Sequence, residues 1–131
     1  MRRVQFHETD AAGIVHFSRY FLYMEEAEHA LWRAAGLSIA SHALGVGWPR
    51  VSATFDYRYP LHFEEEFEVH IAVVAHTARS MHYACTIRRG DIVIATGRLI
   101  IACVGSFAGE MKAVPLPADI VAALPPIVPA S

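Results

Sequence analysis

Asp10 is followed by Ala11, Ala12 and Gly13, then by Ile14, Val15, His16, Phe17 and, at the start of an apolar-periodic segment, Tyr20. A carboxylate in a short loop just ahead of a helix lies beside free backbone N–H groups and the positive end of the helix dipole. A base or nucleophile next to a ready anion site is what acyl transfer requires, because the carbonyl oxygen gains charge during the reaction. Aspartate in a loop also serves as an Asx turn or a cap, so position alone leaves both roles open for Asp10. Gly13 lets such a loop turn tightly and brings backbone close to a substrate.

The elements that must hold these residues follow from periodicity. Residues 2–7 read as a first strand, with Val4 and Phe6 alternating. Ser18 is a good N-cap for a helix that runs to about Ala35, with Gly36 as its stop. Phe21, Met24, Ala27/Glu28, Leu31 and Ala34/Ala35 form its apolar stripe, with acidic residues alongside. Residues 37–49, with Gly45, Gly47 and Pro49, read as a connecting loop with room for a helical turn. Four strands then follow over residues 50–59, 67–76, 81–88 and 92–104, and Arg89-Gly90-Asp91 turns between the last two. In the first of them Val51, Ala53, Phe55, Tyr57 and Tyr59 share a face. Residues 105–109 break the pattern, residues 117–124 suit a short final helix, and the tail with Pro125, Pro126 and Pro129 reads as loose. One strand, one long helix and four consecutive strands with short turns predict an α+β domain with an antiparallel sheet of about five strands.

Composition narrows the partners. The 131 residues suit a single domain, with its core within about residues 1–104, and the 54% hydrophobic content points to a subunit interface. A net charge of −2 gives no footprint for nucleic acid, and no run of Lys and Arg marks a membrane surface. No stretch is long and apolar enough for a membrane helix, and Met1-Arg2-Arg3 is not followed by the apolar core of a signal peptide. Cys85 and Cys103, far apart in strand-like runs, read as buried free thiols. These features together predict a cytoplasmic protein.

The segment from Asp10 to Tyr20 resembles the active-site signature of the 4-hydroxybenzoyl-CoA thioesterase family of hotdog folds. That signature is Asp, two small residues, Gly, two aliphatics, two mostly aromatic positions, two variable positions and Tyr. Asp10, Gly13, Ile14, Val15, Phe17 and Tyr20 match it, and the resemblance extends over most of residues 1–104. It implies a long helix wrapped by the sheet, and a homodimer with active sites at its interface that often pairs into a homotetramer. It also implies hydrolysis of an acyl-CoA thioester without a metal or organic cofactor. In the resembled enzymes the matching Asp attacks the thioester carbonyl or activates the water that does, and both routes stay open for Asp10. The Phe17 backbone N–H would polarise the carbonyl, while His16 and Tyr20 would line the acyl pocket.

Two positions depart from the pattern. The branch associated with the Tol-Pal envelope system has His where Phe17 stands, and the hydroxybenzoyl-CoA branch has an aromatic residue where His16 stands. Both tend to have Asn in place of Arg19, so the subgroup stays open. His16 lines the pocket, assists proton transfer or is an ordinary loop histidine. By the same resemblance, Arg79 and Ser80 would lie where a cation holds CoA phosphates, with Arg88 and Arg89 as weaker candidates.

Other carboxylates and histidines weigh less. Other hotdog lineages draw their carboxylate from the long helix, which makes Glu25 and Glu28 reserves for Asp10; otherwise they belong to a solvated or interface face. Residues 64–66, three glutamates, read as a solvated turn. His7, His16, His29, His42, His62, His70, His76 and His82 show no metal-ligand spacing, and no Gly-x-Ser-x-Gly or dinucleotide fingerprint is present. A hotdog dehydratase acting on an enoyl thioester and a non-catalytic acyl-CoA-binding protein are the alternatives to a thioesterase.

Overall fold

Alternation in residues 50–104 predicts four strands, and four long strands form the body of the structure. The computed structural model describes residues 1–39, 45–107 and 110–127. In chain order the elements are β1 (Arg2–Arg3), a 3-10 turn (Phe6–Glu8), α1 (Arg19–Ala34), β2 (Val46–Gly47) and β3 (Arg50–Tyr57), followed by β4 (Glu66–His76) and β5 (Ser80–Arg89). Then come β6 (Ile92–Ala102), β7 (Val104–Phe107), β8 (Glu110–Ala113) and α2 (Ala118–Ala123). The main sheet is antiparallel throughout, in the order β1-β4-β5-β6-β3. Among the described residues no helix is long and apolar enough to cross a membrane.

Helix α1 lies against one face of this sheet. Met81, Tyr83, Cys85 and Ile87 alternate inward along β5, and Ala95, Leu99 and Ile101 do so along β6. They meet Tyr20, Tyr23, Met24 and Trp32 of α1. The buried face is therefore rotated from the predicted stripe: Phe21 and Leu31 are half-buried and Ala34 is exposed. Aromatic size decides this, since three large rings on one side outweigh the smaller residues of the periodic set. Ile120 and Leu124 from α2 complete the same core.

Four expectations fail. The first strand ends at Arg3, because the chain turns at residues 6–8 and leaves Phe6 exposed while Val4 is buried. The run over residues 92–104 divides at Cys103, whose N–H bonds Arg79 O at 2.8 Å. Beyond it, β7 pairs with β2 on one side and β8 on the other, making a second, three-stranded sheet where the sequence suggests only a break. Residues 108–109 of that break lie outside the described residues. Nor is the tail loose as far as Ile127, whose N–H bonds Val73 O at 2.7 Å beside a β4 irregularity; Pro129 lies outside the described residues.

Candidate active site

The Asp10 loop is closed by its own backbone. Asp10 N–H bonds Ile14 O at 2.9 Å, Gly13 N–H bonds Asp10 O at 3.0 Å, and His16 N–H bonds Glu8 O at 3.0 Å. Gly13 sits at φ +80°, a left-handed conformation that other residues adopt only with strain. The Ala12 N–H donates to Asp10 Oδ1 at 2.8 Å, an Asx turn that fixes the carboxylate. Among the described residues Oδ2 has no partner. The turn role and a reactive role are thus compatible, since the turn uses one oxygen and leaves the other to the cleft.

A buried ion pair that the sequence does not advertise anchors the loop. Glu8 is 4% exposed and accepts two bonds from Arg2, at 2.8 and 2.7 Å, and one from the Gln5 N–H at 2.8 Å. Arg2 also bonds Glu26 of α1 at 2.8 Å and lies 4.6 Å over the Tyr23 ring. Burial alone would raise the Glu8 carboxyl, but Arg2 and the Gln5 N–H outweigh it and hold the group below its usual range. The Tyr23 hydroxyl is buried beside this pair without a partner among the described residues, and burial first, then Glu8, pushes it up. The carbonyl that holds His16 thus belongs to a residue tied to both β1 and α1.

At the helix start, Arg19 N–H bonds His16 O and Tyr20 N–H bonds Phe17 O, while the Phe17 N–H has no acceptor among the described residues. Ser18 occupies the predicted cap position but is helical (φ −66°, ψ −24°) and makes no side-chain cap. Its hydroxyl turns instead to His16 Nδ1 at 2.8 Å, which also accepts the Ser18 N–H at 3.3 Å. With Nδ1 occupied as acceptor, the neutral imidazole carries its proton on Nε2.

Asp10 stands between two depressions of different chemistry. One, of about 410 Å³, is lined by Asp10, Ile14, Val15, Phe17 and Tyr20 on the loop and helix side. Tyr57, Arg58, Tyr59 and Pro60 supply its other wall. Tyr57 Oη donates to Phe17 O at 3.0 Å and joins the two walls. Burial pushes the Tyr20 phenol up to about 12 and the Tyr57 phenol upward, so both stay protonated near neutral pH. The second depression, of about 510 Å³, is more polar than the first: His7, Thr9, His16, Ser18 and Arg19 line it with Asp10 and the apolar Leu22.

Strand β3 ends in a bulge, and the bulge builds the second wall. The N–H groups of Arg58 and Tyr59 both bond Ile94 O, at 2.8 and 3.2 Å, so two residues oppose one. Strict alternation would turn Arg58 away from its neighbours; the extra residue lets consecutive side chains face one cleft. Arg89 braces the wall, bonding Pro60 O at 3.0 Å and Glu65 at 3.1 Å. These wall residues escaped sequence reasoning except as a strand face. The Tyr-Arg-Tyr-Pro run at a strand end was the available signal.

The structure therefore gathers Asp10, Gly13, His16, Phe17 and Tyr20 but not Arg79 and Ser80. Ser80 pairs with Ala102 of β6, whereas Tyr57 pairs with Ala95. Seven residues of strand separate the two rows, roughly 23 Å within one chain. Arg79 is exposed there, and Ser80 Oγ contacts Thr77 and His82. The helix reserves are otherwise engaged. Glu28, expected on a solvated or interface face, is fully buried and held by both Arg50 guanidinium nitrogens, and Glu25 bonds Arg50 at 3.2 Å. In the acidic turn, Glu65 binds His62 and Arg89 and Glu66 pairs with Arg3, so only part of it is simply solvated.

Among the described residues no three His, Cys, Asp or Glu side chains come together as a metal site; His42 lies outside them. Cys85 and Cys103 are free and buried, as expected, and burial pushes the Cys85 thiol up to about 12, which leaves it inert as a nucleophile.

Known proteins share this fold. The model of a family described as the thioesterase-like superfamily matches residues 4–124. A protein of Aquifex aeolicus (strain VF5) named "Putative esterase" is 36% identical over 95 residues, which cover 72% of this chain and 74% of the relative. The crystal structure of a hypothetical protein from Aquifex aeolicus superposes with a TM-score of 0.87 at 31% identity, over 94% of this chain and 95% of that one. A gentisyl-coenzyme A thioesterase superposes with a TM-score of 0.81 at 27% identity, again over 94% and 95%. The fold is the hotdog fold, and the chain belongs to the thioesterase-like superfamily.

Proposed function

We propose that this protein hydrolyses an acyl- or aroyl-CoA thioester to the free acid and CoA, with Asp10 as its reactive carboxylate. The observation that carries this reading is the Asp10 oxygen on an apolar, ring-lined cleft and the Phe17 N–H near it, both without a partner among the described residues. The thioester carbonyl oxygen would accept that N–H, where the start of α1 favours the charge that develops. Two balanced routes fit. Asp10 attacks the carbonyl carbon, expels CoA thiolate and leaves a mixed anhydride that water hydrolyses; or Asp10 takes a proton from water as that water attacks, the C–S bond breaks, and the CoA thiolate leaves with that proton. Neither route uses a metal or an organic cofactor.

Four rings and a proline suit a flat aromatic acyl group, and the likeness to a gentisyl-CoA thioesterase supports that choice. In this reading the protein works in the cytoplasm as a homodimer or homotetramer. A second copy beside β3 covers the open side of the cleft and supplies the CoA-binding cations that a single chain leaves distant. The test is thiol release from a panel of acyl-CoAs. Asp10→Asn is expected to lower kcat/KM for the best thioester by about 100-fold or more. Undiminished turnover in that variant would remove Asp10 from the chemistry. Hydration of an enoyl-CoA without thiol release would favour the dehydratase alternative.

A further inference from the structure

Among the described residues Arg58 is the cation lining the aromatic cleft, and its guanidinium pairs with no carboxylate there. Arg2, Arg3, Arg50 and Arg89 by contrast are each committed to glutamates. The position is also built. Two hydrogen bonds, from the Arg58 and Tyr59 N–H groups to Ile94 O, fix the bulge, and Ile94 is fully buried. Arg89 holds the next carbonyl, at Pro60.

Resting on the thioesterase reading above, we propose that Arg58 selects acyl groups bearing a second, anionic oxygen group, a carboxylate in the simplest case. A carboxylated acyl group brings negative charge into a cleft that already holds Asp10, and an unpaired guanidinium offsets that repulsion. Its planar donors match a carboxylate in two-pronged geometry, which a point charge does not. The phosphates of CoA are the other anions the substrate carries. They sit at the far end of a long polar arm, whereas Arg58 shares its wall with Tyr57, Tyr59 and Pro60, where the acyl group goes.

The experiment compares benzoyl-CoA, 4-carboxybenzoyl-CoA and benzoyl-pantetheine, which lacks the phosphates, in the wild-type full chain, Arg58→Gln and Arg58→Lys. Binding of benzoate and terephthalate is followed calorimetrically on the same proteins. Wild type is expected to favour the carboxylated thioester in kcat/KM by about ten-fold, the effect of one charge-assisted hydrogen bond. Arg58→Gln should abolish that preference, chiefly by raising KM for the carboxylated thioester, and Arg58→Lys should keep part of it. A preference that survives Arg58→Gln overturns the proposal. So does an equal loss for both CoA esters that spares benzoyl-pantetheine, because the cation then reads phosphate. If no thioester turns over, the hydrolytic reading falls by itself. An Arg58-dependent preference for terephthalate over benzoate would still uphold the anion site, and its absence would overturn it.

Discussion

Gly13 and Asp10 show how little side chain the candidate site needs. A Cβ at Gly13 would meet nothing within 4 Å, so the cost of a substitution there is that of the left-handed backbone at φ +80°. Gly13→Ala is expected to lose about 1–2 kcal/mol in urea denaturation. It should also lower kcat, because relaxing φ shifts the Gly13 N–H that bonds Asp10 O at 3.0 Å. A variant as stable and as active as wild type would show that the loop tolerates other geometries. The Asp10 turn and the Gly13 conformation were legible in the sequence because they depend on local chemistry, a short acceptor and a φ only glycine adopts freely. The Ser18 cap was misread for an equally local reason: His16 Nδ1, two residues away, competes for the hydroxyl.

Elements carry the support that no local pattern reveals. Arg2 and Glu8 are joined by a turn, and Glu26 and Tyr23 come from α1, so their cluster exists only once β1 and α1 meet. The folded Glu8 carboxyl lies below its unfolded value of 4.5, so its contribution is full above that pH and is lost as pH falls through the lower folded value. Stability should therefore be level from neutrality to about pH 5 and decline below it. Glu8→Gln should flatten part of that decline while costing about 2–3 kcal/mol at neutral pH, as pH-dependent denaturation would reveal. An unchanged acid slope would mean that other carboxylates govern it.

Gly97 belongs to the same scale. A Cβ there would lie 2.7 Å from the Phe55 ring and 2.8 Å from Thr54 O, and backbone cannot yield cheaply. Phe55 in turn touches Tyr20, Phe21 and Tyr57, with ring centroids 5.9, 5.2 and 6.1 Å away. Gly97→Ala is expected to cost about 1–3 kcal/mol and to raise KM for bulky acyl groups more than for small ones. Thermal denaturation and a substrate series would measure both. The long strands and α1 were readable from their periods; β7, β8 and the rotated helix face were not, because pairing with β2 and the packing of three large rings are decided between elements.

For the whole molecule, β3 is the open edge of the main sheet, and Val51 and Tyr57 on it are 63% and 44% exposed. An edge of eight residues with exposed apolar side chains invites another strand. Sedimentation equilibrium is expected to give two or four copies. Val51→Lys should shift the population toward monomer and reduce turnover with it, whereas Val121→Lys on α2 should do neither. A fully active monomer would show the cleft to be complete in one chain. The placement of the aromatic residues has a separate, optical consequence. Both tryptophans, Trp32 and Trp48, lie edge to face, 5.2 Å apart, and Trp32 donates to buried Tyr83 at 2.8 Å. The described walls of the cleft hold tyrosine and phenylalanine but no tryptophan. Light absorbed only by indole thus follows unfolding and is blind to a ligand, while tyrosine emission follows the cleft, so one cuvette separates the two events by colour.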